Sequence, residues 1–95
     1  MRYYNKNRPV VEAIDFYKFL AFGEQHGANM VGGYPWSFTW MGFPVSHENN
    51  SRYLINHPTQ GTINFKVGEI LVCDENMKLS TYTDQMFNLH FERAI

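Results

Sequence analysis

Between Trp36 and Trp40 large aromatic residues alternate with small polar ones, so that Trp36, Phe38 and Trp40 are separated by Ser37 and Thr39. A period of two places the three rings on one face of a β-strand, which a core must cover. Only Met41-Gly42 separates this run from Phe43-Pro44-Val45, and that spacing predicts a tight antiparallel hairpin with glycine at a turn position. Upstream, Pro9-Val10-Val11-Glu12-Ala13-Ile14 is β-branched and apolar around one acid, which predicts a strand entered from a proline that cannot donate to a ladder. Asp15 then stands where an N-cap belongs, and Phe16, Phe19 and Leu20 recur at helical spacing before Gly23 and Gly27, so one short amphipathic helix is expected over 16–25. Residues 29–35, with Gly32-Gly33, are expected to form a loop leading into the aromatic hairpin.

The second half of the chain alternates short apolar runs with turn-forming clusters. His47-Glu48-Asn49-Asn50-Ser51-Arg52 predicts a polar turn, Tyr53-Leu54-Ile55 a strand, and His57-Pro58-Thr59-Gln60-Gly61 a loop. Thr62 to Val67 alternates, Gly68-Glu69 predicts a turn, and Ile70-Leu71-Val72-Cys73 is the continuous apolar run of a central strand. After a turn at Asp74-Glu75-Asn76 comes the segment Met77 to Tyr82. Thr83 suits an N-cap for a turn of helix over 84–88, and residues 91–95 are expected to be extended. The sum is one α+β domain over residues 1–95: a small, strongly bent antiparallel sheet, forming a partly open barrel or roll, with one short helix packed on it.

Size and composition fit that architecture. A chain of 95 residues buries only about 60 to 70% of the surface its unfolded form exposes, so the core must be dense. An aromatic content of 17% supplies the density, since each buried ring removes about 150 to 250 Å² from water. The single Cys73 cannot form an internal disulfide, and the chain opens without a charged-then-apolar leader, which together point to a reducing cytoplasm. Apolar runs fall short of the roughly 18 residues that span a bilayer, so no membrane association is expected.

Charge and motifs remove further functions. A formal charge of −1 suits neither the basic face of a nucleic-acid binder nor the dense acidic face of a DNA mimic. Arg2, Lys6 and Arg8 interleave with Tyr3 and Tyr4 in a pattern that can hold a single strand, but a solvated N-terminal arm whose tyrosines pack on the domain accounts for it more simply. His26, His47, His57 and His90 are scattered without ligand spacing, so no metal site is expected. Cys73, inside an apolar strand, reads as a small hydrophobe with a raised pKa. Ser37, Ser46, Ser51 and Ser80 lack a nucleophile-elbow context, no acid–base pair of carboxylates stands out, and Gly32-Gly33 and Gly68 belong to no phosphate loop. No catalytic residue and no cofactor is expected. What remains is surface display by the Gly27–Trp36 loop and the His47–Arg52 turn, with Tyr34, Trp36, His47, Glu48, Asn49 and Arg52 as the partner-binding set. The same residues read equally well as connections around a core Trp36.

Several of these pieces occur in a family-like order. Arg8-Pro9-Val10-Val11-Glu12-Ala13-Ile14, then Trp36-Ser37-Phe38 with Gly42, Val45 and His47-Glu48, Tyr53-Leu54-Ile55, Gly61-Thr62, Val67-Gly68, Phe87 and Phe91-Glu92 together resemble the small PGDYG-type proteins of tailed phages. The chain departs from that pattern at Val67-Gly68-Glu69, where the family tends to show Pro-Gly-Asp, and over Ser80 to Gln85. The resemblance implies a bacteriophage origin and a compact α+β fold, and it implies no catalytic residue. By association with small phage proteins, the expected function is non-enzymatic binding and inhibition of a host protein in the host cytoplasm, the target serving antiviral defence or nucleic-acid processing. Two alternatives stand beside it. One is a sponge for a nucleotide-like small molecule, with Tyr34, Trp36 and Tyr53 stacking on a base and Arg52 or Lys66 pairing with phosphate. The other is a structural or assembly accessory. Homo-oligomerisation is left open.

Overall fold

The protein is described by a computed structural model over residues 2–5 and 10–93, with side-chain surroundings given for residues 11–91. In chain order the elements are β1 (Arg2–Asn5), β2 (Val10–Asp15), α1 (Phe16–Gln25), β3 (Met30–Val31), β4 (Tyr34–Pro35), β5 (Ser37–Trp40), β6 (Phe43–Asn49), β7 (Arg52–His57), β8 (Gly61–Lys66), β9 (Glu69–Cys73), β10 (Leu79–Thr83), α2 (Asp84–His90) and β11 (Phe91–Arg93). All strand pairs are antiparallel. The class is α+β, as the periodicity predicts. The single strongly bent sheet or roll is not formed: the strands sort into a five-stranded sheet β10-β9-β2-β1-β11, a four-stranded sheet β5-β6-β7-β8 and the small pair β3-β4, with no barrel closure. The physical reason lies at β9. Its two edges are both occupied, by β2 and by β10, so β8 has no ladder to join there and the chain changes sheets at Val67-Gly68.

Local expectations hold at several points and fail at others. Helix α1 spans the predicted residues, and the Asp15 side chain accepts a hydrogen bond from the Lys18 amide at 2.9 Å, which satisfies one of the four orphan donors of the first turn. The aromatic hairpin has the predicted two-residue loop, with Trp40 paired to Phe43 and positive φ at both Met41 and Gly42, the twist of a primed turn. Among the described residues there are two helices where one was expected to pack on the sheet: the helical turn expected after Thr83 is present and extends to His90 as α2, with Thr83 accepting from the Met86 amide at 3.3 Å and the buried Phe87 stacked on Phe91 at 4.8 Å. The arm expected at the N-terminus is, over Arg2–Asn5, a strand lying between β2 and β11; Lys6 and Arg8 lie outside the described residues. The 29–35 loop contains the β3-β4 hairpin, and the predicted turn at 47–52 is strand as far as Asn49, with only residues 50 and 51 turning. The expected turn at Gly68-Glu69 falls one residue earlier, at Val67-Gly68. The extended C-terminal segment is β11 as far as Arg93, and residues 94 and 95 lie outside the described part.

Two cores result. Phe16 and Phe19 of α1 pack onto the inner face of the four-stranded sheet, against Phe38, Trp40, Val45, Tyr53, Ile55 and Phe65, and the same cluster reaches Leu71, Cys73 and Leu79 on one face of the five-stranded sheet. On the opposite face Val11, Ala13 and Val72 meet Phe87 and Phe91. Strand β9 is therefore covered on both sides, which is why its sequence is continuously apolar. The sheets are also tied by polar groups. His57 accepts at Nδ1 from the amides of Thr59 and Gln60, at 3.1 and 3.0 Å, so that its Nε2–H donates to the Met77 carbonyl at 2.8 Å. The Gln60 amide pairs with both backbone groups of Leu79, at 2.8 Å each.

The approach of α1 to the four-stranded sheet is close enough to need a glycine. A Cβ at Gly23 would sit 2.8 Å from ring carbons of Phe38 and 2.9 Å from the Pro35 Cβ, and Phe38 is held by the rings of Phe19 and Phe22. Alanine gains about 1 kcal/mol of helix propensity, but overpacking a core costs about 1 to 3 kcal/mol. Gly23→Ala is therefore expected to lower the urea unfolding midpoint in spite of its better propensity. A midpoint equal to or above the parent's would show that Phe38 and Pro35 yield.

Candidate functional site

The residue before β5 links two parts of the fold. Gly32 and Gly33, both with positive φ, turn the β3-β4 hairpin, and the Trp36 amide continues its pairing by donating to the Asn29 carbonyl at 2.8 Å. The Trp36 carbonyl in turn accepts from the His47 amide at 2.9 Å. Trp36 is thus fixed at both backbone groups, between the hairpin and β6. Its side chain follows the parity of Phe38 and Trp40, but those two are buried against Phe19 of α1 whereas Trp36 remains 42% exposed.

The side chains opposite Trp36 form a row across the sheet. Its indole stacks on the His47 imidazole at 4.0 Å with the planes 16° apart. His47 meets Tyr53 edge-on at 5.3 Å, and Tyr53 pairs across the ladder with Phe65. Exposure falls along the row from Trp36 through the half-buried His47 to Tyr53 and Phe65, which are fully enclosed. His47 is oriented by a second contact, its Nε2–H donating to Asn50 Oδ1 at 2.8 Å; Tyr34 lies 6.3 Å from its ring. Met30 and Val31 of the hairpin are also exposed; Val31 is the cross-strand partner of Tyr34 and shares its face, whereas Met30 is paired with the buried Pro35 and takes the other. The result is an apolar, ring-centred patch at one end of the four-stranded sheet.

The predicted partner-binding set is divided by this geometry. Tyr34, Trp36 and His47 converge. Glu48 and Asn49 are exposed at the β-bulge where β6 loses register with β7, and Asn49 spends its Oδ1 on the Ser51 amide at 2.8 Å, closing the turn. Arg52 immediately precedes the buried Tyr53 on a regular strand, so it projects from the outer face, where its cross-strand partner is Lys66. The two cations proposed for phosphate therefore lie on the face opposite Trp36, and Tyr53 is unavailable as a stacking platform because it is enclosed. Met30 and Val31 were missed by the sequence pattern; Gly-Gly between Val31 and Tyr34 is the signal that marks their hairpin.

Among the described residues, two groups have clearly shifted acidity. Burial pushes the Cys73 thiol up, with the carboxylates of Asp74 and Glu12 adding to the effect, which keeps it protonated and a weak nucleophile. The Tyr53 phenol is raised from its ordinary 10.0 to about 12, by burial first and by Tyr34 second; its hydroxyl donates to the Pro35 carbonyl at 2.6 Å. Among the described residues no three His, Cys, Asp or Glu side chains gather in a metal-binding group, and no helix is long and apolar enough to cross a membrane. Comparisons with protein-family models, with curated proteins and with solved structures find no match.

The Tyr53–Pro35 bond anchors the base of the hairpin, and its proton gives it a pH signature. A folded-state pKa above the unfolded value means that stability is fully present below pH 10 and is lost as pH rises through about 12. Tyr53→Phe should be less stable at neutral pH by about 1 to 3 kcal/mol, because the Pro35 carbonyl loses its buried donor. Its urea midpoint should then fall less steeply than the parent's across that alkaline window. Parallel midpoint–pH curves would show that this phenol does not titrate differently in the two states.

Proposed function

We propose that this chain is a small non-enzymatic phage accessory protein that binds and inhibits a host protein in the host cytoplasm, a factor of antiviral defence or nucleic-acid processing, with Trp36 as its anchor. The phage setting and the target class rest on the resemblance of the scattered motifs given above. The observation that carries the binding role is that Trp36 is exposed and yet immobilised, by two backbone hydrogen bonds and by stacking on His47. An aromatic anchor that is already ordered loses little rotamer entropy on docking, and tryptophan and tyrosine lead among residues that dominate interface energy. Tyr34 and its cross-strand neighbour Val31 supply the surrounding apolar contact, and the polar turn at 49–51 forms one rim.

The test begins with affinity capture from infected cells and identification of a stoichiometric host protein by mass spectrometry. Trp36→Ala should then weaken binding to the purified partner by about 2 kcal/mol or more, while its stability changes by less than about 1 kcal/mol, as for an exposed position. Tyr34→Ala should weaken binding in the same direction. Arg52→Ala, on the opposite face, should leave affinity within about 1 kcal/mol of the parent. Folded Trp36→Ala and Tyr34→Ala proteins that bind and inhibit like the parent would place the interface elsewhere.

A further inference from the structure

Three sulfur-bearing residues from two different hairpins line one open cleft of about 290 Å³: Met41 in the β5–β6 turn, Cys73 at the end of β9, and Met77 in the β9–β10 turn. The Cys73 Sγ lies 3.9 Å from the Met77 Sδ. A metal–sulfur bond of about 2.3 Å sets two sulfurs of one trigonal centre about 4 Å apart, so this pair already has the separation that a shared ion requires. Neither methionine fills the core, since Met41 and Met77 are 38% and 41% exposed. Turn geometry does not ask for them either. Among the described residues they are the two non-glycine positions with positive φ, 53° and 62°, a region that favours Gly, Asn or Asp and disfavours other side chains. What methionine adds at both positions is a thioether on the rim of a cleft whose wall is a buried thiol.

The charges around the cleft suit a cation. Glu12 is the cross-strand partner of Cys73, and Asp74 and Glu75 line the same space. Thiolate and thioether are soft ligands that select a cuprous ion over zinc, magnesium or calcium. We propose that Cys73, Met77 and Met41 form a binding site for a soft monovalent metal ion of the cuprous class. Binding is a proton exchange without redox change: the ion bonds to Cys73 Sγ as the thiol proton leaves to solvent, and the two thioethers donate lone pairs. The histidine spacing that argues against a zinc site does not bear on this one, because its ligands are sulfur.

The site is tested on the intact protein, kept reduced and anaerobic, by competition for Cu(I) against a chromophoric Cu(I) chelator and by Ag(I) titration. One ion per chain should transfer, with a sulfur-to-copper absorption band and release of one proton, and Zn(II) should not compete. Met41→Leu and Met77→Leu keep the bulk, remove the sulfur and leave the fold intact at exposed positions. Each should lower Cu(I) affinity by about 10- to 100-fold, and Cys73→Ser should abolish the absorption band. Failure of the parent to take up Cu(I) or Ag(I), or uptake undiminished in both methionine variants, would overturn the proposal. The methionine variants decide the matter even if Cys73→Ser, at a buried position, does not fold.

Discussion

The ring of Phe19 is the point on which the rest of the molecule depends. It is fully enclosed and lies 5.0 Å from Phe65, 5.1 Å from Phe38 and 5.9 Å from both Trp40 and Tyr53. Edge-on and tilted ring pairs of this kind add about 0.5 to 1.5 kcal/mol each beyond the area they bury, and here four of them converge on one helical residue. They set α1 against the four-stranded sheet at a distance that only glycine tolerates at position 23, because Phe38 and Pro35 fill the space a Cβ would take. Pro35 belongs to the hairpin that precedes Trp36. The packing of one helix thereby determines where the exposed tryptophan stands.

From there the inner face of the sheet grades from core to surface. Phe65 and Tyr53 are enclosed, His47 is half-buried and Trp36 is open, and each side chain in the row rests on the next by cross-strand pairing or ring contact. A patch built in this way continues the core out to the surface. The Tyr53 hydroxyl strengthens the link by holding the Pro35 carbonyl. The outer face of the same sheet carries the polar and charged positions, Arg52 and Lys66 among them, so the two faces offer different chemistry to any partner.

The two large sheets meet along a second seam. His57, the last residue of β7, and Gln60, in the turn that follows, bind the backbone at Met77 and Leu79, and the Val67 amide donates to the Ser51 carbonyl at 3.0 Å where the chain passes between sheets. The sulfur-lined cleft lies between the sheets as well, with Met41 from the turn of one and Cys73 and Met77 from the other. An ion bound to all three would therefore fasten the sheets to one another as well as being held by them.

Much of this was legible along the chain, because it depends on neighbours in sequence. The α1 boundaries follow from Asp15 and the spacing of Phe16 and Phe19, the aromatic hairpin from alternation around Met41-Gly42, the burial of Phe38 and Trp40 from their shared parity, and the central place of β9 from its unbroken apolar run. That Trp36 is the exposed one of three rings of like parity was legible from its place beside Pro35 and the Gly32-Gly33 loop, but its stacking on His47 was not. Nor was the role of Arg2–Asn5, whose ladder partners are β2 and the distant β11, or the separation of Arg52 from His47, which turns on the strand continuing to Asn49. Local steric preference and periodicity act over a few residues and can be read from the chain. Which edges of β9 are filled, how far a helix covers a sheet, and which turns meet across the seam depend on contacts between residues far apart in sequence, and only the folded structure decides them.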